Sequence, residues 1–301
     1  MQLGIIGMGK MGLPLALNGR DRGLDIVVFT EKAEKLAQLD KEGVKGCGSL
    51  DAFVAALTPP RAVWLMIPAG QAVDGMIAQL LPLLAPGDIL IDGGNSRYQD
   101  SQRRCAQLRQ VGIAFMDVGA SGGTEGARNG ACLMVGGDQA LYARMEPIFK
   151  ALSGGMGCGY MGPSGAGHFV KMIHNGIEYG MMQAIAEGME ILRHGPIPME
   201  LDRVTEVWRK GSIVSGLLMD MTAAALAREP DLASIEGIVA ASGEANWTVE
   251  EAVRLGVSAP VIATSLFNRF KSQDREKYAE KTLAAMRREF GGHAVVAKGE
   301  G

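Results

Sequence analysis

Short apolar runs alternate with amphipathic stretches over the first 160 residues. Leu3–Ile6, Ile26–Phe29, Val63–Ile67, Ile89–Ile91 and Ile113–Val118 read as buried strands. Helical periodicity fills the stretches around 11–22, 32–42, 71–84 and 96–110. Near-continuous apolar strands, each followed by a helix, predict a parallel sheet covered on both faces. The pattern changes near Met161-Gly162-Pro163, and beyond it there is almost no strand signal. One long helical stretch runs from His168 to His194 and is stopped by Gly195-Pro196-Ile197-Pro198. Further helices are expected around 199–209, 213–228, 248–255, 259–272 and 275–289, with Gly292–Gly301 as a tail. The expectation is an α/β chain: a doubly wound sheet over 1–162, then an all-helical domain over 163–301.

Composition narrows the function classes. The chain has 301 residues, enough for about two domains with cores that need no disulfide or metal staple. A net charge of −3 argues against a nucleic-acid footprint or a polybasic membrane patch. The four cysteines, Cys47, Cys105, Cys132 and Cys158, form no C-x-x-C pair, and no histidine sits at zinc-finger spacing. A reduced, cytoplasmic chain without a structural metal is expected. The N-terminus lacks the segments of a signal peptide, and the run Ala62–Ile67 is too short to span a bilayer. The 18 methionines are read as core packing. Glycine is unusual: 42 of 301 residues is about twice the ordinary share, with no collagen-like period. Some part of the fold needs backbone that only glycine supplies.

The first place is Gly7-Met8-Gly9-Lys10-Met11-Gly12, a G-x-G-x-x-G between a predicted strand and a predicted helix. In that context the glycines serve a tight turn, the approach of a pyrophosphate, and close packing of helix on strand. The helix start adds free N–H groups and the positive end of the dipole. These six residues predict a dinucleotide site and make the domain Rossmann-like. The second strand runs out into Thr30-Glu31-Lys32. An acid at Glu31 suits ribose hydroxyls and repels a 2′-phosphate, favouring NAD over NADP. The structural alternative places Glu31 in the first turn of the next helix.

Ligands in open α/β sheets bind beyond the carboxyl ends of strands. Three further segments are expected there: Ile67-Pro68-Ala69-Gly70, Asp92-Gly93-Gly94-Asn95-Ser96, and the loop from Ala120 to Gly126. Ser96 reads as a cap for the helix that follows. Asn95 has no such task. Ser121-Gly122-Gly123 offers a hydroxyl and backbone N–H groups to a carboxylate or to several hydroxyls.

Within the long helix, Lys171, His174, Asn175 and Glu178 fall within an arc of about 100°, and Lys171 and Glu178 lie roughly 10 Å apart along the axis. Val170, Ile173, Ile177, Met181 and Ala184 form an apolar stripe alongside, so the polar stripe is expected to border buried surface. A solvated face would carry repeated Glu/Lys pairs rather than this mixture. A desolvated lysine has its pKa lowered toward the range of a general base, and a glutamate a substrate length away can handle a second proton.

Taken together, these segments resemble the decarboxylating 6-phosphogluconate dehydrogenases, especially their short form. The matching residues are GIIGMGKMG, VWLMIPAG, DGGNS, SGGTEGAR, GPSGAGHFVKMIHNGIEYGMMQA and the near-terminal RREFGGH, spanning 4–293. Other β-hydroxyacid dehydrogenases share the fold and the lysine but are not expected to carry the His-Asn-x-x-Glu-Tyr continuation. The resemblance implies Lys171 as general base and Glu178 as general acid. It implies substrate contacts at Asn95, Ser121, Gly122, Gly123, His174, Asn175 and Tyr179, with Asn95 also near the nicotinamide. Cofactor contacts are implied at Gly7–Gly12, Thr30–Lys32, Ile67, Pro68, Ala69 and Asn95. Arg287 and His293 match a C-terminal segment that reaches the partner subunit's site, so a homodimer or higher homo-oligomer is implied. The implied reaction oxidises 6-phosphogluconate at C3, releases CO2 and yields ribulose 5-phosphate, with no metal.

The sequence departs from the family's long forms in two places. Glu31 stands where they carry an arginine for the NADP phosphate, which strengthens the expectation of NAD. Ser215, in Val207–Ser215, stands where that segment often has an arginine, leaving Arg209, Lys210 and Arg269 as open candidates for the substrate phosphate. Two alternatives stand beside this reading. One is a related dehydrogenase acting on a non-phosphorylated hydroxy acid. The other is a non-catalytic nucleotide sensor, which leaves the shared face of Lys171 and Glu178 unexplained.

Overall fold

The computed structural model describes residues 1–296. The sheet-bearing part runs β1 (Gln2–Ile6), α1 (Gly12–Asp21), β2 (Asp25–Phe29), α2 (Ala33–Lys41), β3 (Lys45–Cys47), α3 (Leu50–Ala55), β4 (Ala62–Leu65), α4 (Gln71–Leu80), β5 (Ile89–Asp92), α5 (Tyr98–Arg109), β6 (Ala114–Ser121), α6 (Gly123–Asn129), β7 (Cys132–Gly136), α7 (Gln139–Ser153) and β8 (Cys158–Gly162). The helices that follow are α8 (Ala166–His194), α9 (Leu201–Trp208), α10 (Leu217–Arg228), α11 (Gly243–Leu255), α12 (Pro260–Gln273) and α13 (Tyr278–Gly291). Two compact units result, Met1–Ile177 and the chain from Glu178 onward, and α8 runs through the division between them.

The first unit is one eight-stranded sheet in the order β3-β2-β1-β4-β5-β6-β7-β8. Its strands are apolar on both faces because helices cover both. Leu3 and Ile5 enter one core with Ile26, Val28 and Trp64, while Ile6 enters the other with Val27, Phe29 and Val63. The chain moves from β1 outward to β2 and β3, then returns to β4 on the other side of β1. That reversal opens a crevice at the carboxyl ends of β1 and β4, where ligands of such sheets bind.

Two expectations are corrected. The sheet is not wholly parallel: β7 pairs antiparallel with β6, Asp117 facing Gly136 and Ser121 facing Cys132. Only ten residues separate Ser121 from Cys132, too few for the crossover a parallel return needs. Those residues are also not all loop, since α6 starts at Gly123. Six elements, β3, β7, β8, α3, α6 and the fifteen-residue α7, were not expected from periodicity. β3 is a three-residue edge strand with two exposed positions, and β8 is half-exposed and carries two glycines.

The second unit is helical. Tyr179, Ala245 and Leu266 form its small core, joining α8, α11 and α12. α13 buries no residue within the chain. The expected tail begins where α13 ends, and its residues 297–301 lie outside the described residues. Among the described residues no helix is long and apolar enough to cross a membrane. The four cysteines are free thiols, and burial pushes the Cys158 thiol up, which keeps it protonated and unreactive at neutral pH.

Candidate active site

The turn after β1 has the shape a pyrophosphate needs. Gly7 has φ 106°, in the region that favours glycine, and a Cβ there would overlap the Met66 carbonyl of the chain leaving β4. A Cβ on Gly12 would overlap the carbonyl of Gly7, so α1 packs against the turn itself. A Cβ on Gly9 meets nothing within 4 Å, so the space beside it is open to a ligand. No side chain caps the start of α1; the Leu13 N–H donates to the Gly9 carbonyl at 3.4 Å, and the positive end of the helix dipole faces the turn. These features fit a dinucleotide. Met8 and Met11 are half-buried against the core, and Lys10 is exposed.

At the end of β2 the buried Thr30 hydroxyl accepts the Lys32 N–H at 3.3 Å and shapes the turn. Glu31 is exposed and precedes Lys32, the residue at the start of α2, whose first-turn acid is Glu34. The alternative that placed Glu31 within the helix's first turn is therefore corrected. Its carboxylate stands at the strand end.

The loops after β4 and β5 touch each other. A Cβ on Gly94 would overlap the Ile67 carbonyl, so the two backbones pass in contact. Pro68 and Ala69 are exposed beside them. Asn95 has φ 55°, and its Oδ1 is buried without a hydrogen-bond partner. A strained residue holding an unpaired buried acceptor is the sign of a group kept for a ligand. The expectation that Ser96 caps the following helix is corrected. Ser96 is buried, and its hydroxyl donates to Asp92 Oδ2 at 2.7 Å. The position before α5 is Arg97, with no side-chain cap.

The approach of α8 to the sheet sets the position of Lys171. Buried Asp117 on β6 accepts the N–H of Gly165 at 2.6 Å and that of His168 at 2.9 Å, tying down the start of α8. The helix then lies directly on glycines: a Cβ on Gly119 would overlap the Lys171 side chain. Lys171 is thus 5% exposed. Its Nζ is 3.3 Å from His174 Nδ1, which is 3.0 Å from Asn175 Oδ1, and His174 Nε2 is 3.1 Å from Ser121 Oγ. Gly122, φ 114°, turns the chain into α6, and Gly123 leaves open space at its Cα. Lys171, His174, Asn175 and Ser121 are therefore brought together, and Glu178 follows Lys171 two turns along the same helix.

The polar stripe of α8 borders buried surface as expected, Lys171 and Asn175 being buried, but the apolar stripe beside it is not buried along its length: Val170 and Ile173 are half-buried, whereas Ile177 and Met181 are 52% and 53% exposed. Packing on Gly119 turns Lys171 inward.

In the second unit, buried Tyr179 is held by Ser242. Its hydroxyl accepts the Ser242 N–H at 3.0 Å and shares a hydrogen bond with the Ser242 hydroxyl at 2.9 Å. The Arg269 guanidinium lies 3.3 Å above the Tyr179 ring and donates to the Ala240 carbonyl. Arg209 is paired with Asp220 and Glu206, and Lys210 with Glu206. Arg287 and His293 are exposed.

Comparison with known proteins decides the family. Residues 2–162 match the NAD binding domain of 6-phosphogluconate dehydrogenase, and residues 167–297 match the C-terminal domain of the same enzyme. The chain belongs to the 6-phosphogluconate dehydrogenase family. It is similar to the NAD(+)-dependent, decarboxylating 6-phosphogluconate dehydrogenase of Haloferax volcanii, at 38% identity over 99% of each chain. It is 43% identical to YqeC of Bacillus subtilis, provisionally named a 6-phosphogluconate dehydrogenase, over 99% of this chain and 100% of that one. The 6-phosphogluconate dehydrogenase of Plasmodium falciparum, described with NADP+ and with 6-phosphogluconate, superposes with a TM-score of 0.83 at 32% identity, covering 100% of this chain and 67% of that one.

Membership makes this chain an NAD(P)-dependent oxidoreductase with a cofactor-binding first domain. Some supports of the family site were not legible in sequence. Asp117 and Ser242 act through pairings distant along the chain, and His168, although within the segment GPSGAGHFVKM, meets its partner across sixty-seven positions. Its buried Nδ1 lies 2.7 Å from Ser101 Oγ.

Proposed function

We propose that the chain oxidises and decarboxylates 6-phosphogluconate to ribulose 5-phosphate with NAD, Lys171 acting as general base and Glu178 as general acid. The observation that carries this is the buried Lys171 joined to His174 and Ser121, with Glu178 two turns further along α8. NAD, when bound in the cradle, would supply the acceptor for the C3 hydride. Lys171, as the neutral amine, takes the proton of the C3 hydroxyl. His174 adapts to either state of that amine: unprotonated Nδ1 accepts from the ammonium, while protonated Nδ1 donates to Asn175 Oδ1. The resulting 3-keto acid is β to the carboxylate and loses CO2 as the electron pair moves toward the C3 oxygen. The protonated Lys171 stabilises that charge, and Glu178 then delivers a proton to substrate C2, the carbon that becomes C1 of ribulose 5-phosphate.

Gly7–Gly12, Thr30–Lys32, Ile67–Ala69 and Asn95 hold the cofactor in this reading, and exposed Glu31 favours the ribose hydroxyls of NAD. Asn95, Ser121, Gly122, Gly123, His174 and Asn175 hold the sugar acid. Arg269 is the preferred cation for the phosphate, since among the described residues the carboxylates that engage Arg209 and Lys210 have no counterpart beside it. When the Ser242 hydroxyl donates to Tyr179, the phenolic O–H is left for the phosphate. Residues 1–162 form the cofactor domain and 163–301 the substrate and dimerisation domain of a cytoplasmic homodimer or higher homo-oligomer. The exposed Ile177 and Met181 of α8 and the unburied Leu283, Met286 and Phe290 of α13 support association, with Arg287 and His293 offered to the partner's site.

The reading is tested by comparing substrates. The purified protein is expected to turn over 6-phosphogluconate at least about a hundredfold more efficiently than 3-hydroxyisobutyrate, a discrimination within reach of polar groups built for a phosphate. Faster oxidation of 3-hydroxyisobutyrate would favour the related dehydrogenase.

A further inference from the structure

Arg104 stands in the middle of α5, yet it is 1% exposed, and none of the roles above uses it. Its Nε donates to Asp74 Oδ1 at 2.7 Å, and its Nη2 donates to the Gly70 carbonyl at 3.0 Å. Its Nη1 donates to Asp92 Oδ2 and to Ser96 Oγ, both at 3.1 Å. One planar guanidinium therefore reaches the start of α4, the last residue of β5, and the far end of the loop that carries Asn95. Asp92 completes the frame: its Oδ1 accepts the Gly94 N–H at 3.1 Å, and its Oδ2 accepts the Ser96 hydroxyl. Asn95 sits between those two anchored neighbours, in a left-handed conformation that costs energy unless its surroundings hold it. The Asp74 carboxyl is held below its ordinary range, first by the hydrogen bond from Arg104.

We propose that Arg104 is a positioning residue for the reaction. Through Asp92 and Ser96 it fixes Asn95, and through Gly70 it keeps the Ile67–Ala69 loop in register with it. A lysine would keep the charge opposite Asp92 but has no planar fork to reach several acceptors at once. The proposal rests on the reading that Asn95 contacts the cofactor and substrate.

Arg104→Ala would leave the Asp92 carboxylate buried without its cation, and loss of fold would follow. The test therefore uses Ser96→Ala, Arg104→Lys and Asn95→Ala, alone and in pairs with Asn95→Ala, in steady-state assays with 6-phosphogluconate and NAD. Ser96→Ala and Arg104→Lys are each expected to lower kcat roughly tenfold or more, as small misplacements of reacting groups do. Ser96→Ala is expected to leave the KM for NAD within about twofold, because the pyrophosphate cradle is built elsewhere. The decisive result is coupling: each pair is expected to be no slower than Asn95→Ala alone within about twofold, because a residue that acts through Asn95 has nothing left to position. Losses that multiply, or a lowered Tm with unchanged kcat, overturn the positioning role. An Asn95→Ala variant with unchanged kinetics overturns the reading beneath it, and the proposal with it.

Discussion

Lys171→Ala is expected to lower kcat by about 10³- to 10⁴-fold, the upper range for removing a general acid–base group, while NADH binding, followed by fluorescence titration, stays within about twofold. The two effects separate because the lysine and the cradle belong to different elements. Lys171 is carried by α8 where it presses on Gly119, whereas the cradle is the turn between β1 and α1. Alanine keeps the Cβ that already fits against Gly119, so the helix retains its seat. Lys171→Arg is expected to be equally inactive, since a guanidinium keeps its proton at all working pH values. Turnover within tenfold of the parent enzyme in either variant removes Lys171 as the base.

The second large effect belongs to Glu178. Glu178→Ala is expected to slow ribulose 5-phosphate formation by about 10²- to 10³-fold, with a signature unlike that of Lys171. The oxidation precedes the proton delivered to substrate C2. Stopped-flow absorbance should therefore show about one NADH per site formed rapidly, followed by slow turnover. The Lys171 variants should show no such burst. An unimpaired steady rate removes Glu178 from the mechanism, and a slow rate without a burst places it before hydride transfer.

Most of the sheet was legible where helices cover both faces of a strand, with buried β7 the exception. The cores on the two sides of β1 and β2 force runs such as Leu3–Ile6 and Val27–Phe29, and such runs stand out in any sequence. β3 and β8 were hidden because an edge strand needs little apolar sequence. The direction of β7 depends on a ten-residue connection whose short helix starts at a glycine pair, and glycines read as loop.

For the site, motifs placed at strand ends announced themselves, and so did the polar spacing on α8. Its orientation did so only in part. Periodicity shows that Lys171 and Asn175 share a side and that Ile177 and Met181 share another, but the glycines of β6 decide which side faces in. Ser96 fits a cap pattern in sequence. Only the fold brings the guanidinium of Arg104, eight residues on, and Asp92 to the same hydroxyl. Likewise Asp117 meets the N–H of His168 across fifty-one positions, a pairing that no local pattern encodes.

The central claim is that oxidation and loss of CO2 are two halves of one reaction on this chain. The most direct test is the stoichiometry of CO2 to NADH when the purified protein is supplied with 6-phosphogluconate and NAD. The account predicts one CO2 for each NADH. NADH accumulating without CO2 would contradict it and leave a simple hydroxy-acid dehydrogenase.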